Sequence, residues 1–233
     1  MKSILFCLLG FALLAGIFAC QNNASTTEKT DTAAAASTPA ATGKGIVSIT
    51  IAPDFPTTDY DKIATSLMES GEWTKDWAYH ASAVMPPKGF FSLGFYPSQA
   101  ALDHRRGIYK DLFPKLGVNV PAPQIYEVHN FIAGDGAGVK PAAGFLVHFT
   151  VDGMSAEKYD AIIAALEAAG AGAPAGRIYH IAYKTDAGLN VVDVFDSEAN
   201  FKAFGNTLVP ILQANGVQAQ PNLYPLYNVA MGG

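Results

Sequence analysis

The chain has 233 residues, a formal net charge of -5 and a pI near 5.4, with 15% charged and 50% hydrophobic residues. A weakly acidic balance without a long basic tract gives no electrostatic attraction for nucleic acid, which excludes that class of partner. The two cysteines stand at positions 7 and 20, so any folded part beyond residue 20 lacks disulfides, thiolate metal sites and cysteine nucleophiles.

At the N-terminus, Met1-Lys2 supplies a positive start, residues 4–18 are apolar almost throughout, and Ala19-Cys20 is followed by the polar Gln21-Asn22-Asn23. This is the pattern of a secretory signal, and the run is short for a membrane span. Ile17-Phe18-Ala19-Cys20 resembles a bacterial lipobox. That resemblance implies a signal peptide over 1–19, acyl chains on Cys20 as a stable membrane anchor, and a lipoprotein of the cell envelope. Gln21 in place of an aspartate favours the outer membrane, facing the periplasm or the surface. Residues 20–45 then form the lipidated cysteine and a flexible tether, because Ala, Thr, Ser, Asn and Gly cannot bury enough apolar surface to offset the entropy of ordering.

Two stretches follow, 46–133 and 143–233, joined by the glycine-rich linker 134–142. Each alternates the period of a strand with that of a helix. First strands are predicted at 46–52 and 145–151. The next segments place Tyr60, Ile63 and Leu67, and Tyr159, Ile162, Ile163 and Leu166, at helical spacing. Second strands are predicted at 77–84 and 177–183, third strands at 90–96 and 189–195. Ser98 and Asp196-Ser197 are suited to cap the second helices, which Gly117 and Gly216 close. Final strands are predicted at 125–132 and 223–230.

The halves read as diverged copies. A step of 99 positions takes Tyr60-Asp61 to Tyr159-Asp160 and Gly89 to Gly188, a step of 100 takes Tyr79-His80 to Tyr179-His180, and a step of 98 takes Tyr126 to Tyr224 and Asn130 to Asn228. Small compensating changes of step in loops are the mark of a tandem repeat.

A β-α-β-β-α-β order is the ferredoxin-like topology, so the predicted class is α+β, with two tandem ferredoxin-like units. The strand-helix run Gly188-Leu189-Asn190-Val191-Val192-Asp193-Val194-Phe195-Asp196-Ser197-Glu198, with Phe201 and Phe204 downstream, resembles the dimeric α+β barrel superfamily, which includes antibiotic-biosynthesis-type monooxygenases. The resemblance implies two units packed sheet to sheet as a barrel with a ligand cavity, here an intrachain pseudo-dimer. Activities in that superfamily run from cofactor-free oxygenases and haem-degrading enzymes to isomerases and non-enzymes, so the fold alone does not select one.

The residues offer a candidate. If 185–188 is a four-residue turn, Lys184 opposes Leu189 and His180 opposes Asp193, on a face shared with Ile178, Ala182, Val191 and Phe195. Opposed residues have side chains in contact range. A buried carboxylate needs a partner, and a carboxylate-oriented histidine is a general base. The same pair also reads as structural. The first half keeps His80 but carries Gly94 where Asp193 is expected. His148 on the neighbouring strand makes a two-histidine, one-carboxylate metal set with His180 and Asp193 a further reading. His80, His129, Tyr179 and Tyr224 are candidate walls of a ligand cavity. The basic run His104-Arg105-Arg106 with Lys110 reads as a solvated helix face.

No motif implies a bound cofactor: the glycines at 134–138 lack phosphate-loop spacing, and no nucleophile elbow, zincin helix or EF-hand loop is present. The expected function is therefore binding of a small apolar or aromatic molecule in a barrel cavity. Cofactor-independent oxygenation or isomerisation by His180 and Asp193 is one alternative, and a non-enzymatic envelope module is another.

Overall fold

A computed structural model describes residues 45–134 and 137–232; the signal, Cys20 and the tether through residue 44 lie outside the described residues. The elements are β1 (Ile46–Pro53), α1 (Thr57–Glu69), β2 (Tyr79–Val84), β3 (Gly89–Tyr96), α2 (Gln99–Leu116), β4 (Gln124–Ala133), β5 (Phe145–Phe149), α3 (Ala156–Ala168), β6 (Arg177–Thr185), β7 (Gly188–Phe195), α4 (Glu198–Ala214) and β8 (Pro221–Met231).

Local chemistry sets the boundaries. The side chain of Ser98 accepts from the Ala101 amide at the start of α2, and that of Ser197 accepts from the Asn200 amide at the start of α4, each satisfying a donor that the first helical turn leaves open. Gly117, at φ 63°, closes α2 in the left-handed conformation. Gly188 must be glycine for two reasons: its φ is 135°, and a Cβ there would stand 2.8 Å from the backbone nitrogen of Met154.

All eight strands pair antiparallel in one closed barrel, in the order β1-β3-β2-β8-β5-β7-β6-β4. Read around the ring, the first half contributes β4-β1-β3-β2 and the second β8-β5-β7-β6. Two ladders join the halves edge to edge: β2 with β8, and β4 with β6. The expected sheet-to-sheet packing is thus accomplished through hydrogen-bonded edges, which leaves no open strand edge.

Both faces of this sheet are buried. Inward side chains from the eight strands, among them Val47, Tyr79, Phe91, Val128, Leu146, Tyr179, Val192 and Val229, fill the barrel. Outward side chains meet α1 and α2 in the first half and α3 and α4 in the second. The Tyr79 and Tyr179 rings stack across the interior with centroids 3.6 Å apart. Among the described residues the barrel interior is lined by packed side chains, and two pockets lie outside it, between sheet and helices.

Candidate active site

The β6–β7 hairpin closes with Thr185 opposite Gly188, which puts Lys184 opposite Leu189 and His180 opposite Asp193, the register expected from the sequence. His180 and Asp193 are 4% and 3% exposed, and His180 Nδ1 lies 2.8 Å from Asp193 Oδ1. They project from the outer face, beneath α3 and α4, so they do not reach the barrel interior.

The sequence reading missed the other members of the network. From α3, the hydroxyl of Tyr159 lies 2.7 Å from His180 Nε2. From β4 of the other half, Asn130 Nδ2 donates to the Tyr159 oxygen at 2.9 Å, while Asn130 Oδ1 accepts from the Phe131 amide at 2.8 Å. Donor inventory orders the protons for a neutral His180 beside a carboxylate. A carboxylate only accepts, so in that arrangement Nδ1 carries the hydrogen, Nε2 is the acceptor, and Tyr159 donates to it. The result is one directed chain, Asn130 to Tyr159 to His180 to Asp193. Burial pushes the Tyr159 phenol well above its ordinary range.

This chain borders a pocket of about 60 Å³. Its other walls are almost entirely apolar, with Phe149, Ile163, Val191, Leu208 and Leu212 among them, and Arg177 at its margin. Val151 and Met154 belong also to an open polar groove of about 840 Å³ that carries Asp152 and Lys158.

The first half repeats the frame with a different outcome. The Tyr60 hydroxyl lies 3.0 Å from His80 Nε2, and Asn228, from the other half, lies beside Tyr60. Opposite His80 stands Gly94, whose missing side chain leaves room for Trp77. That indole stacks on His80 at 4.3 Å and donates to the Tyr96 hydroxyl at 2.9 Å. A Cβ on Gly94 would stand 3.0 Å from the Tyr96 ring and 3.2 Å from the Trp77 nitrogen. Without a carboxylate, His80 is held neutral: burial, and then the positive charge of Arg105, push it down to about 3.

The remaining sequence candidates separate. His148 points into the barrel, where Nε2 lies 2.8 Å from the Tyr183 hydroxyl; its register partner is Val192, and Val147 is the residue opposite Asp193. His148 and His180 therefore occupy opposite faces of the sheet, which rules out the metal set of His148, His180 and Asp193. Tyr179 is buried in the barrel core, and Tyr224 packs against Phe91 there, so neither lines the His180 pocket. His129 is the extra residue of a bulge in β4 and binds Asp160 at 2.8 Å, outside both pockets. His80 does line a pocket, though not one shared with His180. Arg105 corrects the solvated-face reading: it is 0% exposed, lies 4.2 Å over the Trp77 ring, donates to the carbonyls of Glu72 and Trp73, and faces Asp76 at 3.3 Å. A cation over an aromatic face and carbonyl acceptors offset its loss of hydration.

No family model and no curated protein matches the sequence. Solved structures do resemble it. A candidate monooxygenase of Lactobacillus acidophilus superposes with a TM-score of 0.59 at 11% identity, covering 82% of this chain and 97% of its own. An anthrone oxidase-like protein gives 0.50 at 14% identity, covering 83% and 96%. A candidate chlorite dismutase gives 0.51 at 8% identity, covering 79% and 96%. These neighbours belong to the dimeric α+β barrel superfamily, and at such identities the likeness establishes a shared fold: an eight-stranded antiparallel α+β barrel with four helices.

Proposed function

We propose that the chain is a tandem pair of ferredoxin-like units, of which the second carries a cofactor-independent oxygenase site for a small apolar or aromatic molecule with an ionisable C–H or O–H. The observation that carries this reading is the directed chain Tyr159–His180–Asp193 ending at an apolar pocket. Substrates of this kind need one proton removed before dioxygen can accept electrons from them. His180 is the base, reached through Tyr159, whose phenol gives its proton to Nε2 while taking one from the substrate. Asp193 stabilises the imidazolium that forms. The phenol stays a relay, because its burial disfavours a standing tyrosinate.

For a methylene substrate the balance closes with dioxygen as co-reactant. The carbanion and dioxygen form a hydroperoxide, His180 returning the proton through Tyr159. Loss of water then leaves a carbonyl, with one oxygen atom in the product and the other in the water. A pocket of about 60 Å³ suits dioxygen and the reacting edge of the substrate, with the remainder lying toward the groove at Val151 and Met154. Apolar walls also favour the uncharged gas over water.

Haem, which the superfamily resemblance also implies, does not fit these residues. Both ring nitrogens of His180 are already engaged, by Asp193 and Tyr159, and the pocket is far below the several hundred Å³ that a large ligand fills. A structural reading is favoured by one observation: every member of the network already has its partner.

Oxygen consumption with anthrone, the substrate type suggested by the anthrone oxidase-like neighbour, separates the two. Tyr159→Phe removes only the hydroxyl. Asp193→Asn reverses the tautomer, since its amide donates to Nδ1 and leaves Nε2 protonated toward Tyr159. Both variants should lose roughly 10²- to 10⁴-fold in kcat with the fold retained by circular dichroism. Wild-type protein that consumes no oxygen with anthrone or hydroxylated naphthalenes, or variants as active as wild type, would leave the structural role.

We also propose export and anchoring through acyl chains on Cys20, on the strength of the lipobox resemblance alone. Palmitate labelling that is absent in Cys20→Ser supports it, and equal labelling of the two forms overturns it.

A further inference from the structure

The first half holds two cavities, of about 80 Å³ and about 200 Å³, between β1-β3-β2 and the two helices that cover it. They share the walls Thr50, Trp77, His80, Ser92, Tyr109, Phe113 and Val120, so they are adjacent, and each is larger than the His180 pocket. Their chemistry differs in kind. Neither wall contains an aspartate, glutamate, lysine or arginine. His80 is backed by Gly94 and the Trp77 ring where His180 is backed by a carboxylate, so it has no means to stabilise an imidazolium. Polar atoms come instead from the hydroxyls of Ser48, Thr50 and Ser92 on the sheet and of Tyr60, Tyr96 and Tyr109, and flat apolar surface from Trp73 and Phe113, since His80 and Arg105 cover the two faces of Trp77.

We infer that these adjoining cavities form a second, non-catalytic binding site, for an uncharged planar aromatic molecule carrying a hydroxyl or carbonyl oxygen. An aromatic ring lies against Trp73 and Phe113, with the buried edge of Trp77 nearby, its oxygen bonds to the hydroxyl side, and a charged ligand is disfavoured because no ionised side chain lines this desolvated space. Arg105, whose charge is felt at His80, lies outside both linings on the far side of Trp77 and faces Asp76 at 3.3 Å, so it cannot contact a ligand in the space and its charge is offset by the carboxylate. The site is independent of the activity proposed for His180, since it uses none of the same residues.

The chain has two tryptophans, Trp73 and Trp77, and both line the site. Their indole N–H signals are therefore a local reporter in proton–nitrogen correlation spectra of the wild-type protein. The probes are 1-naphthol, uncharged at neutral pH, and 1-naphthoate, titrated under nitrogen so that oxidation cannot intervene. The expected result is a saturable shift of both indole signals by 1-naphthol and at least tenfold weaker binding of 1-naphthoate. Ser92→Phe, which enlarges a wall common to both cavities, should weaken the naphthol shift at least tenfold while leaving oxygen consumption at the His180 pocket unchanged. Indole signals that do not move in the wild type, or naphthoate binding as tightly as naphthol, would overturn the inference whether or not the protein consumes oxygen.

Discussion

Buried histidines take opposite roles in this molecule according to what stands behind each ring. His180 has Asp193; His80 has an indole and His148 a tyrosine hydroxyl. Burial, and for His80 the Arg105 charge as well, pushes His80 down to about 3, and burial pushes His148 down to about 4, from an ordinary 6.5. Folded pKa values below the unfolded ones mean that the unfolded chain binds more protons between pH 6.5 and these values, so stability falls as pH is lowered through that window. At pH 4 the loss is on the order of 3 kcal/mol for each of the two histidines. Urea unfolding at pH 7, 5.5 and 4 should show this decline. His148→Gln keeps a polar group near Tyr183 and should remove about one proton from the uptake on unfolding over that range. An unchanged proton uptake in that variant would mean that His148 is protonated in the folded barrel.

At the level of elements, the two halves complete each other's sites. Bulges in β4 and β8 eject His129 and Tyr227 from the ladders, and these reach helices of the opposite half, at Asp160 and Asp61. A bulge re-aims a side chain where a regular strand would hold it in the sheet. The next residues, Asn130 and Asn228, each accept a backbone amide at the bulge, and Asn130 then holds Tyr159. Asn130→Ala should cost about 1–3 kcal/mol, since it leaves both the Phe131 amide and the Tyr159 oxygen short of a partner. A double-mutant cycle with Tyr159→Phe should give a coupling of at least about 0.5 kcal/mol; additive losses would place the bulge and the phenol in separate units. The sequence made the strands, the caps and the His180–Asp193 register legible, because a hairpin of known turn length fixes its pairs. It did not reveal which face is inside. Ile181, Val192 and Val194 on one face are as apolar as Ala182, Val191 and Phe195 on the other, since a sheet buried on both sides loses the alternation that would distinguish them. Tyr159 read as one more apolar position of a helix. The signal available for it was co-repetition: Tyr60 with His80, and Tyr159 with His180, recur as pairs. Arg105 gave no such signal, because burial of a guanidinium depends on Trp77 and the carbonyls of Glu72 and Trp73, which only the folded chain brings together.

For the whole molecule, closure of the barrel makes each half dependent on the other. Alone, residues 143–233 would present β8 and β6 as unpaired edges, and the inner faces of Leu146, Tyr179, Val192 and Val194 would be uncovered. A unit of this size buries a smaller fraction of its surface than the whole barrel would and has little stability to spare, and exposed edges invite pairing with another chain. The expected state of the isolated second half is therefore a homodimer, with β8 of one copy against β6 of the other, or else an aggregate. A folded monomer is not expected. Light scattering coupled to size exclusion decides between them. A dimer that keeps the near-ultraviolet dichroism of packed tyrosines would mean that the second half alone encodes barrel closure and that the tandem arrangement makes a homodimer permanent. A stable monomer would mean that the sheet–helix core around Val147, Ile162 and Phe195 suffices by itself, and that the stacked pair Tyr79–Tyr179 joins two domains that fold independently.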